Sequence, residues 1–459
     1  MDIERRQFLQ SSAAFALDKL IIDRLPAINI GYEVNPDMPW PEIQAIIDEM
    51  NPGDSMEFGP GVYKSDAFNF THSSNNSGQE GIPFKNFSPK GNGEVVFITD
   101  SGEFPDVYVG DNTYLYGLSF AGLKPPSEEN NSGSVFVGGS PLGKNKILDN
   151  CTIINSPGGL SVASVEGFQF VGGRIIRSGN GRFSHSIYDS GGYMVGSMGY
   201  GSLYLNSIIV GGDGYGLHGW HNARSIACIN CLICDKWWNS VLDGSGHLFA
   251  HNLIFSANGQ PGREGPIGGW FPVDKYHGMV VANNIFGPGA PVYPGELKFL
   301  ADHNAFMPGQ DFNPNSFGGV PYIVPNEAEF YHQLGTTMDD TNFIIQQINS
   351  LTSEIGEEEV YGRVVELNSL CGQLRSLRAG ANSPLANNGR QWYQVFTPEE
   401  YRSVVPLGLI SDEEAIGLVQ GARREMYMNG LCEWDASGVE LCPPHARPSR
   451  RQFLQGVFK

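Results

Sequence analysis

The segment Leu203-Tyr-Leu-Asn206-Ser-Ile-Ile209 is followed by Cys228-Ile-Asn230-Cys-Leu-Ile233 and then by Phe249-Ala-His-Asn252-Leu-Ile-Phe255. Each is a short alternating apolar run, an asparagine, and two bulky apolar residues. The phrase also stands at Leu115-Tyr-Gly117-Leu-Ser-Phe120, Ile147-Leu-Asp-Asn150-Cys-Thr-Ile153 and Phe170-Val-Gly-Gly173-Arg-Ile-Ile176. It returns at Val281-Ala-Asn283-Asn-Ile-Phe286 and Ala301-Asp-His-Asn304-Ala-Phe306. The pivots 117, 150, 173, 206, 230, 252, 283 and 304 are separated by a base step of 21–24 residues, and three coils carry about ten more. A step of this size marks a solenoid in which each repeat is one turn of a coil. The runs are too short for paired helices and are rich in Ile, Val, Phe and Tyr, which suits strands. Asparagine suits the pivot because it tolerates a left-handed backbone and its amide can bond the same amide one coil away. The pattern therefore predicts an all-β parallel β-helix with strands stacked at ~4.8 Å.

Composition agrees. Glycine supplies 59 of 459 residues, well above the usual share of ~7%. Charged residues are 17% against an average of ~25%. A coiled coil would be poor in glycine, and a disordered chain would not carry 27 Phe, 18 Tyr and 7 Trp. The net charge of −20 argues against nucleic acid as a partner. No apolar run approaches the ~18 residues of a membrane span. Seven cysteines are present, and Cys228-x2-Cys231-x2-Cys234 has metal-ligand spacing, but its context is a strand run, which predicts packed side chains. Cys432 and Cys442 flank a turn and are placed to close a hairpin disulfide in an oxidising compartment, or to stay free.

At the N-terminal side, Met38-Pro-Trp-Pro-Glu-Ile-Gln-Ala-Ile-Ile-Asp-Glu-Met50 has helical spacing, and Phe58-Gly-Pro-Gly-Val-Tyr63 follows a turn. Helix, turn, strand and Pro-Gly-x-Tyr together resemble the entry of right-handed parallel β-helix proteins of the pectate-lyase-like superfamily. The resemblance covers roughly residues 38–310. It implies a right-handed single-chain solenoid and a carbohydrate-active role, and it carries over no catalytic residue. Three regions follow: 1–37 as an export signal or cap, 38–325 as the β-helix, and 326–459 as a mixed or helical cap and tail. Glu4-Arg-Arg-Gln-Phe-Leu-Gln10 resembles a twin-arginine export signal, although its apolar run is short and it lacks a clear cleavage site, so an amphipathic cap is the other reading. Arg450-Arg-Gln-Phe-Leu-Gln455 repeats the same six residues, which reads either as a docking motif, with a homo-oligomer through the termini, or as an accident of how the gene was assembled. These features point to an extracellular, periplasmic or cell-surface protein. In the tail, Thr337–Leu351 and the stretch from Ser411 to Met428 read as helices that cover the open end of the solenoid, and Asn382-Ser-Pro-Leu-Ala-Asn-Asn-Gly389 resembles a phrase that closes β-helix domains.

Long coils project loops, and solenoids build grooves from loops on one face. His185 and His218 each lie twelve residues after a pivot, so the two imidazoles are expected on adjacent coils at one step. Tyr188, Trp220, His221 and Asp243 fall nearby, and Lys236, Arg263, Lys275 and His277 are placed to join from neighbouring turns. This is the constellation of a saccharide cleft. Trp220, Trp270, His221, Asp243 and His277 are the substrate-binding candidates, because amphipathic rings stack on sugars. His185, His218, Tyr188, Arg182, Arg263 and Lys275 are the catalytic candidates. A lyase needs a base for the C5 proton of a uronic acid and a cation for its carboxylate; imidazole titrates near neutrality. A hydrolase would need paired carboxylates, for which Asp189, Asp213, Asp243 and Asp274 are available. A uronate epimerase would use the same proton abstraction. Calcium is a possible cofactor through Asp and Asn oxygens, and no cofactor is certain. The expected partner is a polysaccharide, cleaved by β-elimination in preference to hydrolysis. The alternative is a non-catalytic adhesin, filament subunit or tail-spike-like binding protein, for which stacked histidines are only a structural ladder.

Overall fold

The structure, a computed structural model, describes residues 31–377 apart from segments 51–53, 72–81, 87–93, 128–132, 145, 167, 180–183, 191–201, 213, 221–225, 235, 237, 243–246, 257–276, 283, 291–297, 303, 310–314 and 317–321. Both arginine-containing end motifs, Cys432, Cys442, the 382–389 phrase and the 411–428 helix lie outside the described residues.

Three sheets, every pairing of which is parallel, wrap a common interior. The first has 12 strands, from Tyr32–Val34 to Asn315–Ser316. The second has 11, from Gly61–Lys64 to Tyr322–Ile323, and the third has 7, from Ala67–Phe70 to Trp238–Leu242. Each coil visits the first, second and third sheet in turn, so a strand pairs with its counterpart one coil away. Parallel crossovers of this kind are right-handed, and the chain is a right-handed parallel β-helix. After Trp238–Leu242 the described coils continue through the first and second sheets alone.

Between the first and second sheets the backbone turns through a left-handed residue. In successive coils this is Gly117, Asn150, Gly172, Asn206, Asn230 and His251, with φ of 67°, 52°, 62°, 53°, 55° and 59°. Two of these lie one residue before the expected pivots 173 and 252. The strand register explains the shift: Arg174 aligns with Ile208 and Leu232 with Leu253, which puts Gly172 opposite Asn206 and His251 opposite Asn230. The recurrent asparagine thus serves at two steps. At the corner it supplies the left-handed backbone. One residue later, in the last coils, Asn252, Asn284 and Asn304 form an interior ladder. Asn252 Nδ2 donates to Asn284 Oδ1 and Asn284 Nδ2 to Asn304 Oδ1, each at 3.0 Å. Each amide also donates to a carbonyl of the preceding coil, at Cys228, Phe249 and Val281.

His251 holds a corner that asparagine holds elsewhere, and it is fully buried. Burial pushes its imidazole down from 6.5 to about 3. The unfolded chain therefore binds a proton here that the folded chain refuses. Stability from this site is intact above pH 6.5 and falls by about 1.4 kcal/mol per unit as the pH drops towards 3. His251→Asn, which keeps the left-handed preference, is expected to flatten that acid limb in urea melts between pH 6.5 and 4. An unchanged pH dependence would refute the assignment.

Helix α1 (Trp40–Glu49) closes the N-terminal end, as its apolar spacing predicts. Trp40 packs edge-on against Phe68 and Phe70 at 4.8 and 5.6 Å, and Ile43 and Ile47 are fully buried in the interior core. Behind it Tyr63, Phe97 and Phe120 stack on successive coils, with centroids 5.2 Å apart at each step. On the second sheet Ile153, Ile175, Ile209 and Ile233 face the interior, while Ile154, Ile176, Val210 and Cys234 face outward. A sheet apolar on both faces needs an outer cover. Helices α2 (Glu327–Gln333), α3 (Met338–Leu351) and α4 (Val360–Arg375) supply it through Phe330, Ile345, Ile348, Leu351, Val364, Leu367 and Leu374. The α3 helix begins at Thr337, whose hydroxyl accepts from Asp340 N. These helices pack along the flank of the second sheet, against its outward apolar row. Among the described residues no helix is long and apolar enough to cross a membrane.

Candidate functional site

The three outer faces differ in exposure. The second lies under the helices. On the first, the outward Ile147, Val171, Leu205 and Ile229 are fully buried. On the third, core residues Val107, Val137, Val162 and Ile187 point in, and the intervening residues point out. One outward row reads Asn69, Tyr108, Phe136, Ser161, Tyr188 and His218 on six successive strands. Its first three members are exposed, Ser161 and Tyr188 are partly exposed, and His218 is 5% exposed.

Four rings gather where strands His185–Ser190 and Tyr215–Trp220 pair. The register aligns His185 with Tyr215 and Tyr188 with His218. The imidazoles therefore do not share a step, contrary to the pivot arithmetic. The connection from Gly172 to His185 is four residues longer than that from Asn206 to Tyr215, which slides the first strand. The rings nevertheless meet. The His185 and His218 centroids are 4.7 Å apart, and Tyr215 packs against both, 5.1 Å from His185 and 4.4 Å from His218 with near-parallel ring planes. Tyr188 completes the group, 4.7 Å from His185 and 5.6 Å from His218. Tyr215 was not among the expected site residues. Its signal is that Tyr215-x-x-His218 repeats, in reverse order, the ring spacing of His185-x-x-Tyr188.

Electrostatics favour neutral imidazole here. Burial first, then His218 and Lys236, holds His185 well below the usual 6.5. Lys236 is itself buried, and its Nζ donates to the carbonyls of Ser178 and Gly211 at 2.7 and 2.8 Å, which fixes its charge beside the rings. Asp189 is turned the other way. It follows Tyr188 and so points into the solenoid, where it accepts a 2.8 Å hydrogen bond from Tyr204 Oη. That removes it from the set of carboxylates a hydrolase would present on this face. Burial and the Asp189 carboxylate in turn push the Tyr204 phenol well up from 10.0.

The remaining sequence candidates separate. Trp220 ends its strand, aligned with Ser190 on the third sheet. His277 begins a strand of the first sheet, aligned with Lys298, so its backbone is not part of the third-sheet face. Arg182, His221, Asp243, Arg263, Trp270 and Lys275, together with Asp213 and Asp274, lie outside the described residues. The three closely spaced cysteines do not converge: Cys228 and Cys231 belong to the interior core, and Cys234 packs under the helices. Burial pushes the Cys228 thiol well up from 9.0. Among the described residues no three His, Cys, Asp or Glu side chains gather to hold a metal ion.

The coil and its exposed sheet make this chain one of the right-handed parallel β-helix proteins. No family model matches it, and no curated protein does. Among solved structures it is similar to a pectate lyase at 14% identity and TM-score 0.45, over 63% of this chain and 79% of that one. It is similar to a rhamnogalacturonan lyase at 11% identity and TM-score 0.44, over 64% of this chain and 86% of that one. A polysaccharide lyase from Pseudopedobacter saltans matches at 12% identity and TM-score 0.33, over 64% of this chain and 93% of that one. No residue of this chain takes a role from them.

Proposed function

We propose that the outer face of the third sheet binds a polysaccharide and that the four-ring cluster cleaves it by β-elimination. The carrying observation is the cluster itself: two imidazoles and two phenols packed together, Tyr188 and His218 of them in the outward row of the third sheet, with one imidazole kept neutral by its surroundings. In this reading His185 takes the C5 proton of a uronic acid. The C5–H electron pair forms the C4=C5 double bond, the C4–O bond breaks, and Tyr188 returns a proton to the leaving oxygen. His218 and Tyr215 hold the His185 ring in place. Arg182, three residues before His185, is the first choice to neutralise the substrate carboxylate, with Arg263 and Lys275 as the others. The limited exposure of His218 supports a second reading, a non-catalytic glycan-binding protein in which the rings are structural.

Incubation with a panel of uronate-containing polysaccharides, followed by ultraviolet absorbance of the unsaturated product, separates the two. Product formation supports the lyase. Binding without product supports the second reading. A general base must be neutral to act, so a lowered His185 pKa extends activity into acid. The acid limb of kcat/KM is expected well below pH 6.5, and Lys236→Met is expected to move it upward. A limb at 6.5 or above in the wild type would remove His185 from the role of base.

A further inference from the structure

The outward row continues past the four rings, through Ser161, to Phe136 and Tyr108. Tyr108 is 43% and Phe136 39% exposed, and their rings lie 6.3 Å apart on adjacent strands. The Phe136 ring rests over Gly138, where an added Cβ would stand 2.3 Å from it. The two rings meet edge to face, at 67° to each other, so each presents its own surface to solvent. Paired exposed aromatics of this kind match the apolar face of a sugar ring.

The local charge narrows which sugar. Asp106 stands two residues before Tyr108 on the same outward side and is partly exposed. Lys146 is buried, paired with Asp111 at 3.1 Å and bonded to the carbonyls of Val109 and Gly138. Its charge is engaged there and does not reach the surface. A uronate carboxylate on this platform would face the Asp106 carboxylate, whereas a neutral ring would bring no like charge against it.

We propose that Tyr108 and Phe136 form a neutral-sugar subsite, so that the substrate is a mixed glycan with a uronate at His185 and an uncharged residue at the platform. This rests on the carbohydrate reading above. Phe136 lies two strands, ~10 Å, from Tyr188, and Tyr108 lies four strands, ~19 Å, from His218. A glycan running along the solenoid axis must therefore be several units long to touch both ends.

The test is calorimetric binding of three hexasaccharide classes and their disaccharides: homopolyuronate, alternating uronate–neutral glycan, and neutral xylan. The full chain is compared with a Tyr108→Ala/Phe136→Ala variant, and thermal melts verify its fold. The wild type is expected to prefer the alternating hexasaccharides. The double variant is expected to lose about ten- to thirty-fold in their affinity with disaccharide binding unchanged, and Asp106→Asn is expected to improve homopolyuronate binding several-fold. Equal affinity of variant and wild type, with glycan bound, overturns the platform and leaves the carbohydrate reading standing. A wild-type preference for homopolyuronate also overturns it. A wild type that binds none of the glycans overturns both.

Discussion

Replacing His185 with alanine is expected to lower kcat for β-elimination by about 10²–10⁴-fold, the usual worth of a positioned general base. KM is expected to change little, because the ring contributes proton transfer more than contact area. His218→Ala is expected to cost less and to shift the pH profile, since His218 acts on His185 through ring contact at 4.7 Å and through charge. Tyr188→Phe removes the acid while keeping the ring, so its loss should be largest on substrates with poor leaving groups. Steady-state kinetics on the polysaccharide found in the panel, with melts run alongside, measure all three. Unchanged kcat in His185→Ala with intact fold would end the catalytic assignment and leave a binding face.

The largest stability effect is expected at Asn284. Its Oδ1 accepts from the backbone N–H of Asn252 at 2.9 Å and from the Asn252 amide, while its Nδ2 donates to Phe249 O at 2.8 Å and to Asn304 Oδ1. Asn284→Ala strands a buried donor and a buried carbonyl and breaks the ladder on both sides. At about 1–3 kcal/mol per orphaned group, the expected cost is about 3–5 kcal/mol. Gln373→Ala, at an exposed position, serves as the control and should stay within ~0.5 kcal/mol. Urea denaturation reads both. Equal midpoints would mean that the ladder is not a source of stability.

The coil was legible because its period is written in residues that have a physical reason to recur. Asparagine and glycine mark left-handed corners, and isoleucine pairs mark strands buried on both faces. The helix Met338–Leu351 was legible in the stretch Thr337–Leu351. The helix Val360–Arg375 was not, because its buried residues answer to the outer isoleucines of the second sheet and not to a local signal. At the site, the nearness of His185 and His218 followed from coil arithmetic, but their register did not. A four-residue difference between two connections moves a strand without changing any motif. Tyr108 and Phe136 were missed for a similar reason. A single exposed aromatic means nothing in a sequence, and only pairing between strands lines them up with Tyr188.

A bare solenoid can fray one coil at a time, since each turn touches only its neighbours. The flank helices change that. Tyr361 Oη accepts from Glu94 N at 3.1 Å, Asn368 bonds Glu94 and Thr152, and Arg375 reaches the carbonyls of Gly172 and Asn206. Lys64 pairs with Glu357 across 293 positions of chain. The first coils made on the ribosome thus wait for the last segment before their outer isoleucines are sheltered. Nascent chains cut short of residue 327 should expose that stripe and recruit holdase chaperones, while the finished chain should melt as one block.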